Sequence, residues 1–381
     1  MKPLNTYLTE YKEYNTAGTY KPVAIGKFGI RTRESIYKKE LANDYSKNKI
    51  IFKNTLTVGM GSSQIDIGIL TEDVLYSVSP AYHTYKISGA INSDYLGYCL
   101  KQKNYEMFNL YMKRGSRQGK SIDLVRWLTY CIPVYSIENQ LYIVQILSGI
   151  EAIINKKLQI LEKLDVLIKA RFVEMFGNPE VICKDWIEKP LGELCEKVIR
   201  YPTFYGMEYL ESGTRVIRIG NILEDGHMDV EDNNYVFVYN GVNNDFPETV
   251  IEINDIIMAV RGDGSAAKRI GIIRENKLVG ANISPNLIRI KANHNIDPIY
   301  LFSFLTGEVG QKRLGAYVNK TAKKNIAAKD IVKVFVPTPP IEKQREYASF
   351  VAQVDKSKVA VQKSLEQTQM LFDSLMQQYF G

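Results

Sequence analysis

The chain has 381 residues, of which 45% are hydrophobic and 24% charged, and this composition predicts a soluble globular protein with two or more domains rather than a disordered chain. Its four cysteines form no CxxC pair and its three histidines are scattered, so no metal site is predicted. We expect a cytoplasmic protein, because the first residues lack the apolar core of a signal peptide and no apolar stretch is long enough to span a membrane.

The net charge of +7 is concentrated in two blocks of the chain. Residues 1–137 hold 19 basic and 11 acidic side chains, and residues 261–336 hold 14 basic and 5 acidic ones. Residues 221–260, by contrast, contain no lysine or arginine. This distribution favours two surfaces that each face a phosphate backbone, and the alternative is an ordinary solvated surface of mixed sign.

Residues 1–136 form the first of four predicted segments, a mixed α/β domain with a helix around residues 94–112. A basic loop follows that helix. Its candidate DNA-contacting side chains are Arg114, Arg117 and Lys120.

Residues 137–179 form the second predicted segment, which is dominated by one long helix. Residues 138–176 contain no proline, and apolar side chains recur there at a seven-residue spacing, as in a coiled coil. At 1.5 Å per residue this helix would be a rod of roughly 58 Å. We assign its packing face to Leu147, Ile150, Ile154, Leu161, Leu164 and Ile168.

Residues 180–340 form the third predicted segment, a second mixed α/β domain. Short β-branched or aromatic runs predict strands at 214–219, 234–239, 255–260 and 286–290, and a helix is predicted at 298–314. Glycines in the loop 261–269 permit a close approach to DNA, while its basic side chains reach phosphates or guanine edges. The candidate DNA contacts of this segment are Arg218, Arg261, Lys268, Arg269, Lys320, Lys323 and Lys324. For Arg218, pairing with a nearby carboxylate is the alternative.

Residues 341–381 form the fourth predicted segment, a second long helix in which Lys358 and Thr368 interrupt the apolar stripe. Its packing face is assigned to Val351, Val354, Val361, Leu365, Phe372 and Leu375. We expect the two long helices to pack on each other as an antiparallel coiled coil. The alternative is that each docks onto the helices of a partner, and both arrangements can hold on different faces.

The four segments form a tandem duplication with an offset of 204 residues. The alignment of residues 120–177 with residues 324–381 gives 11 identities in 58 positions without a gap. Both copies keep a proline, an Ile-Glu-x-Gln motif at the start of the long helix and Phe-Gly at its end. The basic loops also fall at matching repeat positions. Two divergent copies suit a reader of a two-part target better than an enzyme.

No catalytic motif is recognised in the sequence. The acidic-aromatic and Gly-rich loops of a base methyltransferase are absent, and Gly59-Met60-Gly61 lacks the third glycine of a nucleotide-binding loop. The segment 115–121 resembles a phosphate-binding loop, but only three residues separate its glycines instead of four, and the second copy has neither glycine. We therefore expect no catalytic site in this chain.

The order of the blocks, the Pro-x-x-x-Ile-Glu-x-Gln start of each long helix and the Phe-Gly ends resemble the specificity subunits of type I restriction–modification systems. Trp186-x-x-x-Pro-Leu-Gly and Arg218-Ile-Gly-Asn-Ile match as well, so the resemblance covers nearly the whole chain. One departure is that the first block has no clear counterpart of the opening at 186–221. The resemblance implies an α+β (mixed) fold with two α/β target recognition domains, separated by two long antiparallel coiled-coil helices in a pseudo-twofold internal repeat.

The resemblance also implies the function, in which each domain reads one half of a split double-stranded DNA target. The helices would fix the spacing of the half-sites and dock two methyltransferase subunits. Restriction (motor-endonuclease) subunits would complete a complex for defence against foreign DNA. This chain would bind no cofactor, with S-adenosylmethionine on the methyltransferase and ATP and Mg²⁺ on the restriction subunit. Two alternatives are an orphan specificity subunit that serves a methyltransferase without an endonuclease, and a coiled-coil adaptor that binds only proteins.

Overall fold

The computed structural model describes residues 1–36, 44–114, 120–177, 186–200, 208–262, 265–319 and 324–381. Residue contacts divide the chain into two compact units. Unit 1 comprises residues 1–159 and 362–381, and unit 2 comprises residues 160–361. The four-segment division drawn from the sequence stays a prediction.

Unit 1 is built on a four-stranded antiparallel sheet with one long helix against it. Its strands are β1 (Lys2–Pro3), β2 (Leu8–Glu10), β3 (Val23–Gly26), β4 (Gly29–Thr32), β5 (Lys49–Ile51), β6 (Thr55–Met60), β7 (Ile65–Leu70), β8 (Tyr76–Val78), β9 (His83–Ile87), β10 (Met112–Arg114), β11 (Lys120–Ile122) and β12 (Cys131–Ile132). Its helices are α1 (Ser93–Tyr111), α2 (Leu124–Trp127) and the first part of α3 (Ile137–Phe176). The strand order in the four-stranded sheet is β2-β9-β6-β7.

Unit 2 repeats this design. Its strands are β13 (Glu188–Pro190), β14 (Cys195–Arg200), β15 (Thr214–Ile217), β16 (Val236–Val238), β17 (Ile256–Ala259), β18 (Ile270–Ile272), β19 (Asn282–Ile283), β20 (Leu287–Ala292) and β21 (Phe335–Pro337). Its helices are α4 (Leu191–Leu194), α5 (Val242–Asp245), α6 (Pro298–Thr306), α7 (Glu308–Gly315), α8 (Ala328–Ile331) and α9 (Ile341–Phe380), the last of which continues into unit 1. The four-stranded sheet has the order β14-β20-β17-β18, with the same antiparallel pairings as in unit 1.

The predicted strands and helices are confirmed within a few residues. The helix predicted at 298–314 is two helices, because the chain turns at Gly307 between α6 and α7. The two helices contact each other so closely at Gly310 that a Cβ atom there would overlap the Phe304 carbonyl oxygen. The prediction of one continuous helix was therefore wrong. The spacing of apolar residues does not reveal that the chain turns at Gly307 and that two short helices pack against each other.

The long helices α3 and α9 pack together in antiparallel directions. In unit 1, the Lys157 ammonium donates at 2.8 Å to the carbonyl and hydroxyl oxygens of Ser364 and at 2.5 Å to Thr368. In unit 2, Lys358 forms an ion pair of 2.7 Å with Asp165. Higher numbers on α3 thus meet lower numbers on α9. The twelve apolar residues assigned to the packing faces are all buried or half-buried, and the polar interruptions of the stripe have partners across the helix pair.

The Ile-Glu-x-Gln motif ties each long helix to the domain that precedes it. Gln140 and Gln344 are both fully buried. The Gln140 side chain accepts a hydrogen bond from the Asn92 backbone N–H at 2.8 Å, and Gln344 accepts one from Asp297 N–H at 2.9 Å. Each glutamine also donates to a backbone oxygen five residues earlier. The glutamine of this repeated motif therefore joins the start of each long helix to the residue that caps the N-terminus of α1 or α6.

The Phe-Gly end of each helix completes the core of the unit in which that end lies. Phe380 packs against Tyr95 in unit 1, with ring centroids 5.2 Å apart, and Phe176 packs against Tyr300 in unit 2 at 4.8 Å. The two tyrosine hydroxyls donate to equivalent proline carbonyls, each at 2.9 Å. The first copy of the repeat thus ends at Phe176 in unit 2, whose sheet is formed by the second copy. The second copy ends at Phe380 in unit 1, whose sheet is formed by the first copy.

The start of the first block has a counterpart to one part of the opening at 186–221, namely residues 189–191. Lys-Pro-Leu occurs at residues 2–4 and again at residues 189–191. The backbone N–H of Leu4 donates to Tyr130 at 3.0 Å, and that of Leu191 donates to Val334 at 2.8 Å. The offset here is 187 residues instead of 204, so an ungapped comparison of the sequence misses it.

Candidate nucleic-acid interface

Two candidate contacts that lie far apart in the sequence are neighbours in unit 2. Arg261 forms an isolated antiparallel bridge with Asn325, and the Gly262 N–H donates to the Lys324 carbonyl at 3.2 Å. The side chains of Arg261 and Lys324 are both exposed. Among the described residues, no carboxylate lies within ion-pair distance of Arg261. This edge of the loop after β17 therefore presents the Arg261 guanidinium to solvent.

The backbone after Arg261 has a conformation that requires glycine. Gly262 has a φ of +118°, and a Cβ atom there would overlap the Ser265 hydroxyl. The Ala267 N–H then donates back to the Ala259 carbonyl at 2.8 Å, which closes the loop onto its own strand. Gly262 thus helps to fix where the basic side chains of the loop emerge.

Lys268 and Arg269 lie at the other end of this loop, beside a 740 Å³ cleft in unit 2. The Arg269 guanidinium donates to the Ile222 carbonyl at 3.0 Å and lies 3.7 Å from a Glu224 carboxylate oxygen. A phosphate would have to displace Glu224 to bind there. Lys268 is exposed, and no described carboxylate pairs with it. Of the two side chains, Lys268 is the one that DNA can reach without breaking a contact.

Arg218 follows directly after β15 and is exposed. Its guanidinium makes one long hydrogen bond of 3.4 Å to the Asn234 carbonyl, while its backbone N–H donates to the Asn221 side chain at 2.8 Å. Asn221 is buried and also donates to Asn234. The Arg-Ile-Gly-Asn sequence therefore builds a fixed turn from which the Arg218 side chain extends.

The basic loop of unit 1 lies between two short strands. Arg114 on β10 is paired with Lys120 on β11, and only the backbone of these two residues is described. Arg117 lies outside the described residues, as do Lys320 and Lys323 of the matching loop in unit 2. In unit 2 that loop is closed by hydrogen bonds between Asn319 and Asn325. The two loops thus follow α1 and α7 at equivalent places.

Internal ion pairs neutralise much of the positive charge in residues 261–336. Arg289 is almost fully buried, and its guanidinium contacts Asp255 at 2.7 Å and Glu252 at 2.8 Å. Burial raises the pKa of Asp255, whereas the Arg289 guanidinium holds the pKa of Glu252 below its usual range. Further internal pairs are Arg274 with Asp355, Lys291 with Glu196, Arg313 with Glu188 and Lys333 with Asp330. The formal net charge of residues 261–336 is therefore larger than the number of unpaired basic side chains that could contact DNA.

The glycine pair Gly59 and Gly61 has a structural explanation. Gly59 lies within β6, where a Cβ atom would overlap the Tyr82 ring, and Gly61 lies in the turn that follows. This turn is the counterpart of the Arg261 loop and is uncharged, so unit 1 presents its basic groups elsewhere. Three exposed residues of the β3–β4 hairpin, Lys27 and Phe28 in its turn and Arg31 on β4, are absent from the sequence-based candidates. The sequence signal for them is Gly-Lys-Phe-Gly between two short β-prone runs.

Among the residues that the structure describes, no group of three or more His, Cys, Asp or Glu side chains is arranged to hold a metal ion. None of the helices in the described ranges combines the length and the apolar character that a membrane crossing needs.

The sequence of this chain is similar to known DNA-specificity proteins. The family model for the type I restriction modification DNA specificity domain matches residues 183–368. The chain is 28% identical over 217 residues to the type I restriction enzyme EcoBI specificity subunit of Escherichia coli, a match that covers 55% of this chain and 44% of that protein. It is 24% identical over 310 residues to the MjaVIII specificity subunit of Methanocaldococcus jannaschii, covering 73% and 70%. Residues 183–368, just under half of the chain, thus match the DNA specificity domain, and both relatives are type I restriction enzyme specificity subunits.

Solved structures share the fold of this chain. A type I restriction-modification S subunit from M. genitalium superposes with a TM-score of 0.59 at 16% identity, covering 100% of this chain and 95% of that one. A chain from a structure concerned with complex assembly and conformational transition of the type I R-M system gives a TM-score of 0.58 at 14% identity, covering 99% and 96%. At these identities the likeness concerns the fold alone, a mixed architecture of sheets and two long helices.

Proposed function

We propose that this chain is a type I restriction–modification specificity subunit and that it reads a two-part DNA target, with one half-site contacted by each unit. The observation that carries the proposal is the repeated strand order, β2-β9-β6-β7 and β14-β20-β17-β18, with different loops at the equivalent positions. The loop after β17 carries Arg261 and Lys268, whereas the turn after β6 is uncharged. A shared scaffold with divergent loops is what two readers of different base sequences need.

In this proposal the chain has no catalytic role and acts in the cytoplasm. Partner subunits perform the reactions, with S-adenosylmethionine on the methyltransferase and ATP and Mg²⁺ on a restriction subunit. The basic loops supply phosphate and base contacts, which position the partners on the duplex.

The long helices offer one equivalent apolar surface in each unit for docking a methyltransferase subunit. In unit 2, Val166 and Leu167 on α3 are 63% and 45% exposed. In unit 1, Met370 and Leu371 on α9 are 71% and 51% exposed. These two pairs are related by the 204-residue repeat, and none of the four residues belongs to the packing faces assigned to α3 and α9. Exposed apolar side chains at repeat-equivalent positions suit two copies of one partner.

The docking surface is tested with Leu167→Glu and Leu371→Glu. Glutamate is a good helix former, so each helix should persist, whereas a charge at an apolar interface opposes binding. We expect each single variant to retain one methyltransferase subunit and the double variant to retain none, as measured by native mass spectrometry of the co-expressed complex. Val279→Glu, at an exposed apolar residue of unit 2, is the control. Two retained subunits in the double variant would disprove this docking surface.

The DNA-reading proposal is tested by measuring duplex binding by the methyltransferase complex at several salt concentrations. We expect a strong salt dependence, because bound lysine and arginine release counterions from phosphates. We further expect Arg261→Ala to weaken binding and to lower the slope of log affinity against log salt by about 0.9 if its guanidinium contacts a phosphate. Salt-insensitive or undetectable binding would favour the protein-only adaptor. Co-purification of a methyltransferase without any restriction subunit would favour the orphan subunit.

A further inference from the structure

The β3–β4 hairpin of unit 1 ends in an exposed cluster of one aromatic and two basic side chains. Gly26 pairs with Gly29 across a two-residue turn formed by Lys27 and Phe28, and Gly29 has a φ of +78°. Phe28 is 64% exposed. The Lys27 ammonium lies 4.7 Å from the ring centroid, and the Arg31 guanidinium carbon lies 4.4 Å from it. The cations therefore flank the ring at the tip.

The base of this hairpin is firmly held, in contrast to its tip. Val23 and Ile25 are buried in a small apolar core with residues of β5, β7 and β8. The Tyr82 hydroxyl donates to the Ile25 carbonyl at 3.1 Å. Cation–ring contacts at exposed sites contribute only about 0.5–1 kcal/mol, so the cluster adds little to the stability of unit 1. Its residues are thus free to serve binding.

The charge around the tip favours a nucleic acid over a protein partner. Residues 20–33 contain four basic side chains and no acidic one. Among the described residues, no carboxylate lies within ion-pair distance of Lys27 or Arg31. A narrow two-stranded ribbon with a basic tip fits the DNA major groove, which is roughly 12 Å wide. The thymine methyl is the apolar group that this groove presents to a phenyl ring.

The topology of unit 2 places a candidate DNA contact at the same position. There β15 is paired antiparallel with β16 and parallel with β19. In unit 1, β3 is paired antiparallel with β4, and a parallel bridge joins Pro22 to Ser77 of β8. Lys27 thus follows β3 as Arg218 follows β15. The two positions correspond even though their sequences do not align.

We propose, building on the DNA-reading function above, that the β3–β4 hairpin is the base-reading element of unit 1. The hairpin enters the major groove of one half-site. Phe28 packs against a thymine methyl, and Lys27 and Arg31 contact the phosphates on either side. This assignment gives unit 1 the basic reading loop that its β6–β7 turn lacks.

The proposal is tested with the full chain in its methyltransferase complex, bound to a duplex that carries the motif mapped from its methylated bases. We expect Phe28→Ala to weaken binding about tenfold with an unchanged salt slope. Lys27→Ala and Arg31→Ala should each lower the slope by about 0.9. Tyr105→Ala, which removes another exposed ring of unit 1, is the matched control and should bind like the wild type.

A double-mutant cycle tests the contact itself. Replacing the contacted thymine by uracil removes only its methyl group. If Phe28 contacts that methyl group, this replacement and Phe28→Ala should each weaken binding by the same factor. The two changes together should weaken binding no more than either change alone. The hairpin variants and Arg261→Ala should affect opposite half-sites. Hairpin variants that bind like Tyr105→Ala, or methyl and Phe28 effects that add, overturn this inference alone. A wild-type complex that does not distinguish the motif from a scrambled duplex overturns the proposed function as well.

Discussion

Replacing Gln344 by alanine should destabilise unit 2 far more than a typical polar substitution on a helix. The fully buried Gln344 side chain accepts a hydrogen bond from Asp297 N–H at 2.9 Å and donates one to the Pro339 carbonyl at 2.7 Å. Each hydrogen bond contributes about 1 kcal/mol, and each buried group left unpaired costs a further share of its desolvation. Together these losses amount to about 2–4 kcal/mol in the opening free energy of unit 2.

Hydrogen exchange measures this loss in one unit at a time. At 1.4 kcal/mol per factor of ten, the slowest amides of α6 should exchange roughly 30- to 700-fold faster in Gln344→Ala. Gln140→Ala should produce the equivalent change in α1 of unit 1, since Gln140 makes the same two hydrogen bonds. Gln353→Ala, at an exposed position of α9, is the control. If Gln344→Ala exchanged within a factor of about two of that control, the motif would not join the helix to the domain.

Two further predictions concern the loop after β17 and the length of the long helices. Gly262→Ala should weaken binding to one half-site, because a Cβ atom at φ +118° would overlap the Ser265 hydroxyl and displace the loop. The control is Gly280→Ala, at φ +84° in open space, which carries a similar backbone strain and should lower the melting temperature by a similar amount. Equal DNA affinities of the two variants would contradict the loop's role. Inserting seven residues into both α3 after Gln159 and α9 after Val361 keeps the heptad register and adds about 10.5 Å. At 3.4 Å per base pair the unread gap in the methylated motif should grow by about three base pairs, and an unchanged gap would show that the helices do not set it.

The helical part of the fold could be predicted from the sequence because a seven-residue apolar spacing survives without proline over about forty residues. The same spacing located the polar interruptions, and the structure shows why they are tolerated. Lys358 donates to Asp165, and Thr368 accepts a hydrogen bond from Lys157, in each case across the helix pair. The repeated Gln and Phe-Gly motifs are visible in the sequence. Their hydrogen bonds and ring contacts could not be predicted, because the partners lie about 47 to 285 residues away in the chain.

The candidate interface was predicted less completely, because charge in a sequence does not reveal which side chains are paired. Arg289 counted toward a basic block yet is buried with Asp255, and Arg269 contacts Glu224. Lys27 and Phe28, which we propose as contacts of unit 1, are not among the sequence-based candidates for another reason. Their counterpart in unit 2 is a longer connection with a different sequence, so that the internal repeat gives no alignment there.

The central claim, that this chain dictates a two-part DNA target while partners modify it, is tested most directly by mapping methylated bases across the genome of cells that carry the chain with its methyltransferase. We predict one motif of two short specified halves around an unspecified gap, with Arg261→Ala relaxing or abolishing recognition of a single half. A continuous motif, or the same methylation in cells that lack the chain, would contradict the account.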